Sequence, residues 1–137
     1  MRFLDTNVFL RFLTGDDPSK AEACRALLRR VDEEDEEAYT SETVLAEVFY
    51  VLTRGRSGYR VDRVELAQRM RPIIQARGLT MTDKAMVLRA LAVYETHAQL
   101  DFEDALSVAH MESRGITEMV SYDEDFDRVP GVTRIEP

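Results

Sequence analysis

Four acidic residues stand where folding alone does not call for them. Asp5 closes the short apolar segment RFLD near the start of the chain, and Asp123 closes a second apolar segment around Met119 and Val120. Open parallel sheets place ligand sites just beyond the carboxyl ends of their strands. If the two segments are neighbouring strands, the two carboxylates meet at one rim. Glu47 lies in a helical stretch where Val44, Leu45, Val48, Phe49, Val51 and Leu52 fill one arc, and it sits just outside that arc. It reads either as a solvated flank residue or as an acid reaching along the rim toward Asp5. Asp101-Phe-Glu-Asp104 puts three acids at a helix start. There Asp101 reads as an N-cap, and Asp104 favours the positive end of the helix dipole. The apolar residues that follow, from Ala105 to Met111, imply a well-buried helix, so an acid in its first turn can also face a cleft.

Several carboxylates converging without Lys or His repel one another, by about 4 kcal/mol for two charges at 4 Å and an effective dielectric of 20. Such a cluster persists only around a cation, and hard oxygen ligands select Mg²⁺ or Mn²⁺ over zinc. A pair of such ions roughly 3.5–4 Å apart is a common device for in-line cleavage of phosphodiesters. Other chemistries have less support. His97 and His110 are far from any Ser or Cys in a usable pattern, and no Gly-rich phosphate loop is present. Cys24 reads as core, and so do most of the methionines. Tyr50, Tyr59 and Tyr94 read mostly as core or rim, with base stacking as the alternative for Tyr59 inside a run of arginines.

The elements that must position these acids alternate. Strands are expected at 2–5, 38–40, 79–82, 118–122 and 132–135. Helices are expected from Pro18 or Ser19 to Leu28, from Thr40 or Ser41 to Leu52, over 61–76 and 83–98, and from Asp101 to Arg114, ended by Gly115. That alternation predicts an α/β protein with a parallel sheet covered on both faces. At 137 residues the chain fits one domain, spanning 1–137, and 45% hydrophobic residues exclude a disordered polymer. A single cysteine excludes a disulfide framework. Asp5, Asn7 and Arg11 interrupt the apolar N-terminus and argue against a signal peptide. With no apolar run long enough to span a bilayer, a cytoplasmic protein is expected.

Charge is unevenly spread. The run DEEDEE at 32–37 accounts for all but two of the eight net negative charges, and reads as a solvated face or loop. Between Arg54 and Arg77, seven arginines face only Asp62 and Glu65. Arg suits phosphate because its planar fork binds two oxygens at once. Arg54, Arg56 and Arg60 are therefore candidate nucleic-acid contacts, with surface ion pairing as the competing reading. The helices between about 19 and 76 carry more apolar residues than one small sheet covers, so a protein-binding surface is expected there.

The segments FLDTNVFLRFLTGDDP, TSETVLAEVFYVL, LDFEDALSVAHMESRG and SYDEDFDRVPGV, in this order and spacing, resemble PIN-domain ribonucleases of the VapC toxin type. The resemblance spans nearly the whole chain. It implies a PIN-like three-layer sandwich with a parallel sheet of order 3-2-1-4-5, helices on both faces and an acidic site for Mg²⁺ or Mn²⁺. Carried over residue by residue, the family's acids fall on Asp5, Glu47, Asp104 and Asp123, as catalytic and metal-holding residues. Asp104 is chosen over Asp101 because it precedes Ala-Leu, and Asp123 over Asp125 and Asp127 because it directly ends the strand. Thr6, Asn7, Asp101, Ser121 and Asp125 fall on supporting positions. The implied function is metal-dependent hydrolysis of RNA by the toxin of a type II toxin–antitoxin pair, with an antitoxin partner and a homodimer. The alternative is a non-toxin or inactive PIN-like RNA- or protein-binding module. A phosphatase of the haloacid dehalogenase type is disfavoured, because Asn7 stands where that chemistry needs a second Asp.

Overall fold

A computed structural model of the chain describes residues 1–54 and 58–137. Arg56 therefore lies outside the described residues. The chain forms two compact units, residues 1–84 and 85–137.

The first unit runs β1 (Arg2–Phe3), α1 (Thr6–Thr14), α2 (Pro18–Asp32), β2 (Ala38–Tyr39), α3 (Glu42–Thr53), α4 (Arg63–Gln75) and β3 (Leu79–Thr80). The strands form a parallel sheet in the order β1-β2-β3, with Arg2 opposite Ala38 and Ala38 opposite Leu79. The expected first strand is shorter than RFLD because Asp5 already stands at the N-cap of α1. That helix, unexpected from the sequence, is held by burial of Phe9 and Leu13 and packs on α2 and α3. Helix α2 continues past Leu28 to Asp32, so that Val31 completes its buried face. The cap of α3 is Ser41, whose hydroxyl accepts from the Val44 N–H at 3.3 Å. Thr40 is fully buried instead and donates to the Leu4 carbonyl at 2.9 Å.

The acidic run is not simply solvated. Glu36 keeps only 17% of its side chain exposed and pairs with Arg2 at 3.0 Å and Arg30 at 3.1 Å. Beside it, β3 is approached so closely that a Cβ on Gly78 would strike the carbonyl oxygens of Val31 and Glu36. The Gly78 N–H donates to the Val31 carbonyl at 2.9 Å, and its own carbonyl accepts from the Ala38 N–H at 2.8 Å. Between α2 and α4 opens a cavity of about 410 Å³, with Phe12, Leu28, Val31, Ile73 and Leu79 in its wall and Arg25, Arg29 and Arg69 around them.

The second unit contains α5 (Lys84–Thr96, begun by the last residue of the first unit), α6 (Phe102–Arg114), β4 (Glu118–Val120), a 3-10 turn at Glu124–Arg128 and β5 (Thr133–Ile135). Strands β4 and β5 pair in parallel, with Glu118 opposite Thr133. Tyr94 of α5 meets Phe102 of α6 edge-on at 5.8 Å between ring centres. The class is thus α/β with parallel strands and, among the described residues, six α-helices. The pairings give the segments 3-2-1 and 4-5 of the expected order; the β1–β4 link is not among them. No helix among the described residues is long and apolar enough to cross a membrane.

Candidate active site

In the first unit, the site is built around the turn from β1 into α1. Asp5 occupies the N-cap position in an extended conformation (φ −85°, ψ 165°), yet its side chain makes no cap hydrogen bond. This separates it from Asp17, Asp62 and Asp101, each of which caps its own helix through a side-chain oxygen. The next residue, Thr6, is buried, and its hydroxyl donates to Glu47 Oε2 at 2.9 Å. Glu47 is otherwise exposed on α3, outside the core face made by Val44, Leu45, Val48, Phe49 and Leu52. One short bond therefore ties an acid of α3 to the residue beside Asp5. Both acids stand near the N-terminus of α1, whose unpaired N–H groups favour negative charge. Thr40 fixes the preceding backbone through its bond to the Leu4 carbonyl. Its only sequence signal was a hydroxyl in an apolar strand. Asn7 is exposed in the first turn of α1.

In the second unit, Asp101 and Asp104 form a reciprocal cap. Asp101 Oδ1 accepts from the Asp104 N–H at 2.8 Å, and Asp104 Oδ2 accepts from the Asp101 N–H at 3.2 Å. The capping role read from the sequence is real, but it does not exhaust Asp104. Burial, followed by the charges of Asp101 and Asp123, pushes its carboxyl up to about 6. The carboxylates acting on it are thus two neighbours of its own sign. Asp123 accepts from the Asp125 N–H at 2.9 Å and begins the 3-10 turn, while its own N–H donates to Ser121 Oγ at 3.0 Å. Asp125 pairs through its carboxylate with Arg128 at 3.5 Å.

A residue that sequence reading missed holds this turn. Arg134 of β5, whose side chain is 12% exposed, donates to the Ser121 carbonyl at 2.9 Å and to both oxygens of Asp127 at 2.8 and 3.2 Å. Hydrogen bonding from Arg134 in turn holds the Asp127 carboxyl below its ordinary value. Arg134 thus spans the turn that carries Asp123 from both sides. An Arg inside a short terminal strand, seven residues after an Asp, was the available signal.

Among the RNA-contact candidates, Arg54 ends α3 and is exposed, and Arg60 donates to the Tyr59 carbonyl at 2.6 Å. The Tyr59 hydroxyl is engaged by Asp16 at 2.7 Å, which also accepts from Arg11 at 2.9 Å. These two donors, Tyr59 first, hold the Asp16 carboxyl down at about 2. Arg77 lies 3.6 Å from Glu34, so that end of the basic segment follows the ion-pairing reading.

As to a metal ion, the donors in both units are carboxylate oxygens, the type that suits Mg²⁺ or Mn²⁺. Burial of Asp104 and the negative charge of Asp101 beside it disfavour its ionised form, a condition that a divalent cation relieves. Among the described residues, no three His, Cys, Asp or Glu side chains form a group that could hold a metal ion. The donor chemistry fits a hard cation.

Parallel α/β units that set acids at strand ends and helix starts define a nuclease-like scaffold of the PIN class, and the PIN domain family matches residues 2–132. The chain belongs to that family. A VapC ribonuclease of Aquifex aeolicus (strain VF5) is 26% identical over 137 residues, covering the whole of this chain and 97% of that relative. The resemblance read from the sequence is borne out at the level of the family and fold class.

Proposed function

We propose that this protein is a metal-dependent endoribonuclease, the toxin of a type II toxin–antitoxin pair, in which Asp5, Glu47, Asp104 and Asp123 act together on RNA phosphodiesters. The observation that carries this reading is the Thr6–Glu47 bond at 2.9 Å beside an Asp5 carboxylate that caps nothing. Folding accounts for Asp17, Asp62 and Asp101 as caps and leaves the Asp5 side chain without that task. The relative named as a VapC ribonuclease supports the substrate class.

The four acids would hold Mg²⁺ or Mn²⁺. When bound, such an ion supplies a water of lowered pKa and offsets charge on the phosphate. The chain's own work is positioning. Thr6 fixes the Glu47 carboxylate, Asp101 fixes Asp104 through the reciprocal cap, and Ser121 with Arg134 fixes the turn bearing Asp123. Asn7 offers an exposed amide close to Asp5. Arg54 and Arg60, with Arg56, offer cations for the RNA backbone. The partners are RNA, an antitoxin and a second copy of the chain. The cavity between α2 and α4, apolar with arginines around it, supports a protein-binding role for those helices.

The test is cleavage of single-stranded and structured RNA with millimolar Mg²⁺ or Mn²⁺, against EDTA and against Asp5→Asn. Metal-dependent cleavage abolished by the substitution is expected. RNA that is bound but never cut under any metal leaves a binding module and removes the enzyme reading.

A further inference from the structure

Resting on the ribonuclease reading, we propose that Tyr50 and Tyr122 are base-stacking platforms that hold unpaired nucleotides beside the catalytic acids. The chain has five tyrosines. Three have partners: the Tyr39 hydroxyl shares a hydrogen bond with Thr82 at 2.7 Å, that of Tyr59 bonds Asp16, and Tyr94 packs on Phe102. The side chains of Tyr50 and Tyr122 have neither a hydrogen bond nor a ring partner among the described residues, and the two residues are 59% and 71% exposed. A singly exposed ring needs no explanation by itself. Here each ring is fixed to the element that carries a proposed acid.

Tyr50 follows Glu47 by three residues on α3, a spacing that puts the two Cβ atoms about 5–6 Å apart on one helix face. Arg54 continues the same line one turn later and is also exposed. The outward stripe of α3 thus reads acid, aromatic ring, guanidinium. Those groups match, in order, the cleavage centre, a base and a backbone phosphate. Tyr122 directly precedes Asp123. The Ser121–Asp123 bond bends the chain between them, which puts Tyr122 at the apex of the turn that aims Asp123. Both rings ride on backbone already fixed for other reasons, Tyr50 by the buried face of α3 and Tyr122 by the Arg134 clamp. They lose little freedom when a base arrives. Stacking on an aromatic ring tolerates any base, because every base has a π-face, and it requires that the base be unpaired.

Steady-state cleavage of one oligoribonucleotide, single-stranded and then annealed to its complement, tests the inference for Tyr50→Ala, Tyr122→Ala and the corresponding Phe variants. Each alanine is expected to raise KM for the single strand at least about fivefold, the low end of what one stacked base is worth. The kcat should stay within about twofold, and each phenylalanine should restore the wild-type KM. For the duplex, all variants should match the wild type. The chain has no tryptophan, so quenching of tyrosine emission by the single strand, reduced in the alanine variants, is a second readout. Alanine variants with wild-type KM on an RNA that the wild type cleaves overturn the inference and leave the ribonuclease reading standing. Alanine effects equal on single strand and duplex overturn it likewise. A wild-type protein that neither binds nor cuts RNA removes both.

Discussion

At the scale of single residues, the site divides into acids already spent on folding and acids that are not. Thr6 is the sharpest test, because its hydroxyl serves Glu47 rather than its own helix. Thr6→Val keeps shape and burial but removes the donor. We expect kcat/KM to fall roughly tenfold, which corresponds to about 1.4 kcal/mol, in keeping with the net worth of one hydrogen bond. Thr6→Ser should recover most of it, and steady-state cleavage by the three proteins decides the matter. Asp104 makes a different prediction. Its carboxyl lies at about 6, against an ordinary 3.8. A carboxyl raised by folding contributes its stability at low pH and loses it as the pH rises through the folded value. Without metal, the wild type should lose melting temperature relative to Asp104→Asn between about pH 4 and pH 7, and the two should converge below pH 4. Asn keeps a side-chain oxygen for the Asp101 N–H, so the cap survives. Magnesium should raise the wild-type melting temperature and leave that of the mutant nearly unmoved, because a ligand that binds only the folded state stabilises it. A mutant less stable than wild type at pH 7 without metal, and still responsive to magnesium, would make Asp104 a cap alone. Asp5 and Asp123 stood out as candidates in the sequence because each follows an apolar segment, and Glu47 and Asp104 because of their places on helices. The bonds from Thr6 and Thr40 were not legible, since each joins residues remote in sequence whose meeting depends on packing, while the Arg134 bonds depend on how β5 pairs back beside β4.

At the scale of elements, the five expected strands and five expected helices stand where the sequence put them among the described residues, while strand ends and helix α1 were not legible, for a physical reason. A helix announces itself by local periodicity and caps. Thus α6 begins after Asp101 and ends at Gly115 in left-handed conformation (φ 67°), as the sequence implied. Strands of two or three residues carry no periodicity, so RFLD shrank to Arg2–Phe3, and the continuation was a helix. The acidic run showed the same limit, because Glu36 turns inward to Arg2 and Arg30, and no count of charges foretells that. Gly78 is where element packing leaves least room. Its missing Cβ lets β3 lie against the carbonyls of Val31 and Glu36. Gly78→Ala should destabilise by about 1–3 kcal/mol, the range for overpacking, because the obstacles are backbone atoms that cannot rotate away. Urea unfolding of the two proteins measures this, and an unchanged midpoint would mean that β3 shifts freely. Arg134 is the counterpart in the second unit. Arg134→Lys keeps the charge but not the fork that reaches both Asp127 oxygens and the Ser121 carbonyl. Lower kcat with KM little changed is expected, because the turn that aims Asp123 loosens while the RNA contacts remain.

At the scale of the whole molecule, a chain of net charge −8 must engage a polyanion, so attraction has to be local. The acids of the run 32–37 are partly neutralised in the fold, through Arg2, Arg30 and Arg77. Arg77 pairs with Glu34 at the far end of the basic segment; Arg54 and Arg60 are exposed near the C-terminal end of α3, where the stripe from Glu47 ends. If RNA passes over this end, each arginine that touches a phosphate releases counterions, and the logarithm of affinity falls with the logarithm of salt by about 0.7 per contact on a single strand. Reversing both, Arg54→Glu with Arg60→Glu, should weaken RNA binding at 50 mM salt and flatten that slope by about 1.4. The loss should shrink toward 200 mM salt, where the wild type has itself lost the same electrostatic contribution. Arg77→Glu should leave the slope unchanged, because that guanidinium already faces Glu34 at 3.6 Å. Fluorescence anisotropy of a labelled single strand across this salt range measures all three proteins. A double variant with the wild-type slope would take the RNA path away from the 54–60 segment and leave its arginines to the surface ion pairs that the sequence also allowed.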